Sequence, residues 1–139
     1  MAIIYLFICF VIDYFIKLPR FILPSYSYIG IGFFVCGILI IYWTWHTLKK
    51  THTPISLIEI PNTLITCGLF KFSRNPMYLG TVLILLGIAI YFGKVTLFFA
   101  PLAYIITTNI FTISLEEKIL KKTFGEEYLN YKKGVRKWI

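Results

Sequence analysis

The sequence predicts an all-α membrane protein: a polytopic bundle of about four transmembrane helices with a cytoplasmic C-terminal helical segment, forming one domain over residues 1–139. Three observations lead there. Hydrophobic residues make up 58% of the chain and charged residues 14%, an imbalance that a water-soluble domain does not show. The apolar residues gather into four runs, at about 2–16, 26–45, 77–92 and 95–115. Apart from Asp13, the charges lie between and after those runs, most of them on one side.

Each run can be taken in order. A helix needs about 20 apolar residues to cross a hydrocarbon core of ~30 Å, so the second and fourth runs span unaided while the first and third are short. Lys17 snorkels to extend the first, and the third begins inside the interface. No Lys or Arg precedes the first run and no small-residue cleavage site follows it, so it reads as a retained helix and not as a signal peptide. Tyr42, Trp43 and Trp45 sit where the second run leaves the bilayer, as an aromatic belt does. Asn75 is a favoured N-cap and Pro76 a favoured first helical residue, so the third helix starts there. The fourth run stays apolar to Leu115 and meets Glu116 and Glu117, with helical signals continuing from Lys118 to Phe124 before Gly125. Beyond it, Tyr128, Tyr131, Val135 and Trp138 recur at helical spacing, predicting a short amphipathic helix interrupted near Gly134. That helix either lies on the membrane surface or folds over the preceding loop.

With four spans, eleven of the 14 Lys and Arg residues fall on the side of both termini, and only Lys17, Arg20 and Lys94 fall on the other. The positive-inside rule then puts both termini in the cytoplasm. The net charge of +8 follows from this topology and from an anionic leaflet, and does not call for nucleic acid as a partner. Cys9, Cys36 and Cys67 lack a C-x-x-C pairing and read as small buried hydrophobes. No metal site is expected. His46 and His52 have no visible carboxylate partner and read as interfacial residues. Asp13 is an acid inside a span, and such residues are functional candidates; a small proton-coupled exporter is the alternative that it raises.

The polar residues left over concentrate in the loop 46–75 and the tail 116–139. In FSRNPMYLG, Arg74 stands beside the positive end of the third helix, an arrangement suited to a carboxylate or phosphate. Glu117 is spaced to pair with Lys121. Glu116 has Ile119 and Leu120 at those spacings, so at the edge of low dielectric it needs a cation from elsewhere: Arg74, a lysine or a cationic ligand.

The order GLFKFSRNPMYLG, then Glu116-Glu117, then Leu120, Phe124-Gly125, Tyr128, Tyr131 and Val135-Arg136 resembles the isoprenylcysteine carboxyl methyltransferase family of integral membrane methyltransferases, and is similar to the related phospholipid methyltransferases. The resemblance covers about the C-terminal half. It implies S-adenosylmethionine as cofactor, with Ser73, Arg74, Asn75, Tyr78, Gly80, Glu116, Glu117, Tyr128 and Tyr131 as binding residues and Arg74 and Glu116 at the chemistry. It implies an amphipathic acceptor, lipid-like or prenylated, methylated on a carboxylate that needs no general base. Many relatives have His where this chain has Asn75, which keeps a helix cap but no titrating group. The glycine-rich turn of soluble methyltransferases is missing: Gly30-Ile-Gly32 lies inside a span and reads as helix packing.

Overall fold

The computed structural model describes residues 1–17, 19–51 and 63–139. Its elements are α1 (Ala2–Ile16), α2 (Tyr28–Lys50), α3 (Pro76–Phe92), α4 (Val95–Thr107) and α5 (Ile113–Gly134), with 3-10 turns at Pro24–Tyr26 and Gly68–Lys71 and a π turn at Thr108–Thr112 that joins α4 to α5 without a break. Among the described residues there is no strand, and the fold is all-α. The four apolar runs each become helix. Two helical stretches, Tyr28–Lys50 and Val95–Gly134, are long and apolar enough to cross a membrane, while Ala2–Ile16 and Pro76–Phe92 are shorter apolar helices. The second helix runs more than a turn past its expected exit at Trp45, and Lys49 there places its ammonium 5.0 Å from the Trp45 ring centre.

α2 and α3 pack as an antiparallel hairpin, and glycine decides how closely. Gly30 faces Gly87 and Gly37 faces Gly80, so that a Cβ on Gly37 would lie 2.5 Å from the Gly80 carbonyl oxygen. Backbone meets backbone at both crossings. In lipid no hydrophobic effect draws two helices together, so this approach supplies dispersion contacts that larger residues would block. Gly32, in contrast, has nothing within 4 Å and packs against no one.

α1 packs on α4. Cys9, Ala89, Leu97 and Ala100 form the buried cluster, with Tyr5, Leu6 and Phe98 against it. The Tyr5 hydroxyl donates to Thr107 Oγ1 at 3.0 Å. At the far end of α1, Asp13 is 5% exposed and pairs with Lys94, while Thr96 donates to its other oxygen at 2.9 Å. Arg20 crosses the same end, bonded to Ser27 and to the Tyr91 carbonyl. The Phe21 N–H donates to the Gly93 carbonyl at 2.9 Å. Lys17, Arg20 and Lys94, set together by the topology argument, thus lie at one end of the bundle.

Most large apolar side chains point outward, with Ile3 at 81% and Phe7 at 68% exposure, a surface made for lipid and not for water. Two of the cysteines correct the sequence reading. Cys9 is buried, but Cys36 and Cys67 are exposed, Cys36 because its neighbour Gly37 is the residue that faces α3. All three are free thiols.

Candidate functional site

The polar cluster at the opposite end is assembled from the start of α3, the start of α5 and the tail. The segment between the Gly68–Lys71 turn and α3 is held by backbone groups far along the chain. The Arg74 N–H donates to the Arg136 carbonyl at 3.0 Å, and the Asn75 side-chain amide donates to the Lys137 carbonyl at 2.9 Å. Ser73, 3% exposed, accepts the Asn75 N–H at 3.2 Å and donates toward the Lys137 carbonyl at 3.5 Å. Asn75 occupies the N-cap position of α3, but its side chain makes no cap bond. It ties the tail down instead, which corrects the expected capping role.

Arg74 extends from this anchored segment. Its Nη1 donates to Glu117 Oε1 at 2.8 Å and to the Tyr128 hydroxyl at 3.2 Å. The partner is therefore Glu117, where the sequence reading had Glu117 pairing with Lys121 and offered Arg74 to Glu116. Glu117 takes its second cation from Lys132, at 2.6 Å, across the kink in α5. That kink is Gly125, whose φ of 53° and ψ of −121° suit only glycine. It turns the last part of α5 back, so that Tyr128 is 2% exposed and the Tyr131 hydroxyl donates to the Phe70 carbonyl at 2.7 Å. Of the two placements open for the amphipathic helix, it folds over the loop.

Glu116, one residue earlier, faces the other way. Its carboxylate accepts from the Tyr78 hydroxyl on α3 at 2.5 Å, and no cation reaches it among the described residues. Burial holds the Glu116 carboxyl above its usual range, with the Tyr78 hydrogen bond pulling weakly back. Glu117 is the reverse case. Burial pushes it up, but the Lys132 hydrogen bond and the charges of Arg74, Lys132 and Lys137 outweigh that and hold it below the usual range. Burial also raises the phenol of Tyr128, and that of Tyr131 to about 12.

Of the expected site residues, Ser73, Arg74, Asn75, Tyr78, Glu116, Glu117, Tyr128 and Tyr131 come together. Gly80 does not. It sits one turn into α3 against Gly37, Ile40 and Ile41, so its place in the fold is the helix crossing and not a ligand surface. Sequence reasoning missed Lys132 as a partner of Glu117, and Lys137, whose ammonium donates to Asn109 Oδ1 on the π turn at 2.9 Å. Both contacts depend on the turn at Gly125, and no local spacing announces them. His46 stacks on Tyr42, as an interfacial residue does, and His52 lies outside the described residues. Among the described residues no His, Cys, Asp and Glu grouping fits a metal.

Beside this cluster, a groove of about 590 Å³ runs between Cys36, Ile40, Trp43 and His46 of α2 and Leu69 of the 3-10 turn, and its walls are almost wholly apolar.

Residues 26–127 match the phospholipid methyltransferase family. The chain is also similar to an uncharacterized protein of Haemophilus influenzae, with 38% identity over 63 residues, which is 45% of this chain and the whole of that protein. No solved structure matches it.

Proposed function

Since the chain belongs to the phospholipid methyltransferase family, we propose that it transfers a methyl group from S-adenosylmethionine to the polar head of an amphipathic acceptor at the membrane surface. The family and the apolar helices make it a membrane methyltransferase. Four spans with both termini in the cytoplasm fit the eleven-to-three division of its cations.

The observation that carries the cofactor reading is Arg74. Its side chain is 9% exposed, and its Nε–H is buried with no partner among the described residues. A buried donor left unmade costs about 1–3 kcal/mol, which a ligand carboxylate would recover. Glu117 and Tyr128 hold the other arm of the guanidinium, so Nε stays aimed. Glu116 is the complementary group, a buried carboxyl without a cation, suited to an ammonium. The rings of Tyr128 and Tyr131, with centroids 6.4 Å apart, offer aromatic faces to adenine. The residues present therefore fit S-adenosylmethionine, which when bound supplies a methyl group on a positive sulfur. The tail closing over this end excludes water, and that favours a transfer in which charge is dispersed.

The acceptor's apolar part suits the groove between α2 and Leu69, which opens beside the segment carrying Arg74. A carboxylate head, as in an isoprenylcysteine, needs no base. A lipid amine is the second reading, favoured by the family's description and by the raised Glu116, which with Tyr78 beside it is placed to take a proton. The exporter alternative gains no support: Asp13 is held by Lys94 and Thr96.

The deciding experiment is calorimetric titration of S-adenosylhomocysteine into the detergent-purified protein and into Arg74→Ala and Glu116→Ala variants shown to be folded. Binding to the wild type, weakened at least tenfold by Arg74→Ala, is the expected result. Absence of binding in both detergent and nanodiscs would overturn the reading. Methyl transfer assayed side by side on a prenylcysteine and on phosphatidylethanolamine then chooses the head group.

A further inference from the structure

We propose that the end of the bundle remote from Arg74 binds a phosphate-bearing anion, and that its source is the headgroup of an anionic lipid. Phe10, Asp13, Tyr14, Lys17 and Lys94 line a cavity of about 400 Å³ there, within the size range of small-molecule sites. The charges do not balance. Among the described residues Asp13 is the one carboxylate lining it, and Lys94 and Thr96 already engage it. Arg20, at the same end, is bonded to neutral acceptors, Ser27 and the Tyr91 carbonyl, and pairs with no carboxylate among the described residues. The Lys17 backbone N–H closes α1 on the Asp13 carbonyl, but its side-chain ammonium has no hydrogen-bond or ion-pair partner among the described residues.

The backbone of Lys17 is the second, independent sign. It closes α1 in the left-handed conformation, at φ 49° and ψ 47°, and among the described residues no other non-glycine has a positive φ. Glycine is the usual residue at that cap, and a side chain there costs about 1 kcal/mol. Strain of this kind is kept where the position has a task. Here it sets an unpartnered ammonium at the rim of the cavity that Asp13 and Lys94 share with Phe10 and Tyr14. The same end also receives the N-terminus of α4, whose N-cap is Lys94 and whose dipole favours an anion. The cavity walls then give the ligand its second half. Tyr14, 74% exposed, and Phe10 present aromatic surface to the lipid side, so a phosphate at Lys17 would continue into an apolar chain along α1.

Thermal unfolding of the full-length protein in detergent, with and without added phosphatidylglycerol, phosphatidylcholine or glycerol phosphate, tests this. Phosphatidylglycerol is expected to raise Tm by several degrees more than phosphatidylcholine. That excess should persist in Lys17→Arg and in the distant control Lys71→Gln, and fall by more than half in Lys17→Gln and Lys17→Gly. Lys17→Gly relieves the strained cap, so its lipid-free Tm should rise, and loss of the lipid response cannot then be blamed on misfolding. An equal shift from glycerol phosphate would overturn the lipid as source and leave the soluble phosphate. A phosphatidylglycerol shift unchanged in Lys17→Gln and Lys17→Gly, or no shift with any phosphate probe, would overturn the site.

Discussion

At the scale of the residue, Glu116 and Glu117 are chemical twins with opposite pH signatures. Glu116 has its folded pKa raised by burial. Its contribution to stability is thus full below the unfolded carboxyl value of ~4.3 and is lost as pH rises through the folded one. Glu116→Gln, which keeps the shape and cannot ionise, is expected to raise Tm at about pH 7.5 and to leave it unchanged at about pH 4; thermal melts at the two pH values check this. Glu117, depressed by Lys132 and Arg74, behaves conversely: its contribution is present above ~4.3 and is lost as pH falls through its folded value. Lys132→Met should therefore bring on acid unfolding at higher pH. Arg74→Ala, which strips the partly buried Glu117 of its more buried cation, should cost about 3 kcal/mol, and Arg74→Ala/Glu117→Gln should regain part of it in denaturant titrations. The sequence brought both carboxylates to the right place yet assigned Arg74 no certain partner. Neighbouring helical residues point about 100° apart, and the π turn at Thr108–Thr112 adds a residue to the turn, rotating α5 relative to the phase of α4. Periodicity read along the fourth run carries no trace of that rotation.

Elements are where the sequence spoke most plainly, because an apolar run of helical length has few other fates in lipid. The four runs, the start of α3 at Pro76 and the break at Gly125 follow from composition and from Gly and Pro placement. The spacing of Gly30, Gly37, Gly80 and Gly87 was as visible, yet its meaning depends on which helix faces which, and Gly80 was drawn into the ligand set by its neighbours in the motif. Gly37→Leu is expected to force α2 and α3 apart and abolish recovery of monodisperse protein, whereas Gly32→Ala, in open space, should be neutral or gain up to about 1 kcal/mol. Size-exclusion profiles and melts of the two variants separate the outcomes. Gly125→Ala places a side chain at φ 53°, costing about 1–3 kcal/mol, and straightening there would draw Tyr128 and Tyr131 off the loop. We expect it to weaken S-adenosylhomocysteine binding more than tenfold, with helix content by circular dichroism retained.

Taken whole, the molecule keeps its reactive polar groups and its anchoring ones at opposite ends of α3, with Arg74 beside its first turn and Arg20 bonded to Tyr91 beside its last. The two ends should therefore fail separately. Asp13→Asn is expected to lower Tm while leaving S-adenosylhomocysteine affinity within twofold of the wild type, because α1 contributes no residue to the Arg74 cluster. The split of cations between the ends was legible from the sequence. What it means for packing was not, since Asp13 and Lys94 are 81 positions apart and only the pairing of α1 with α4 joins them.

That separation also sets a timetable. α2 and α3 form a hairpin nested between α1 and α4, so the ribosome must make both before the acid in α1 meets its base. At about 5–20 residues per second, the interval is roughly 4–16 seconds. For that time Asp13 enters an apolar phase charged and alone, or else protonated, and an insertion factor able to shelter a lone acidic helix has its opportunity there. Lys94→Met would extend the wait indefinitely, and the newly made chain, not the finished fold, would be the species that quality control removes.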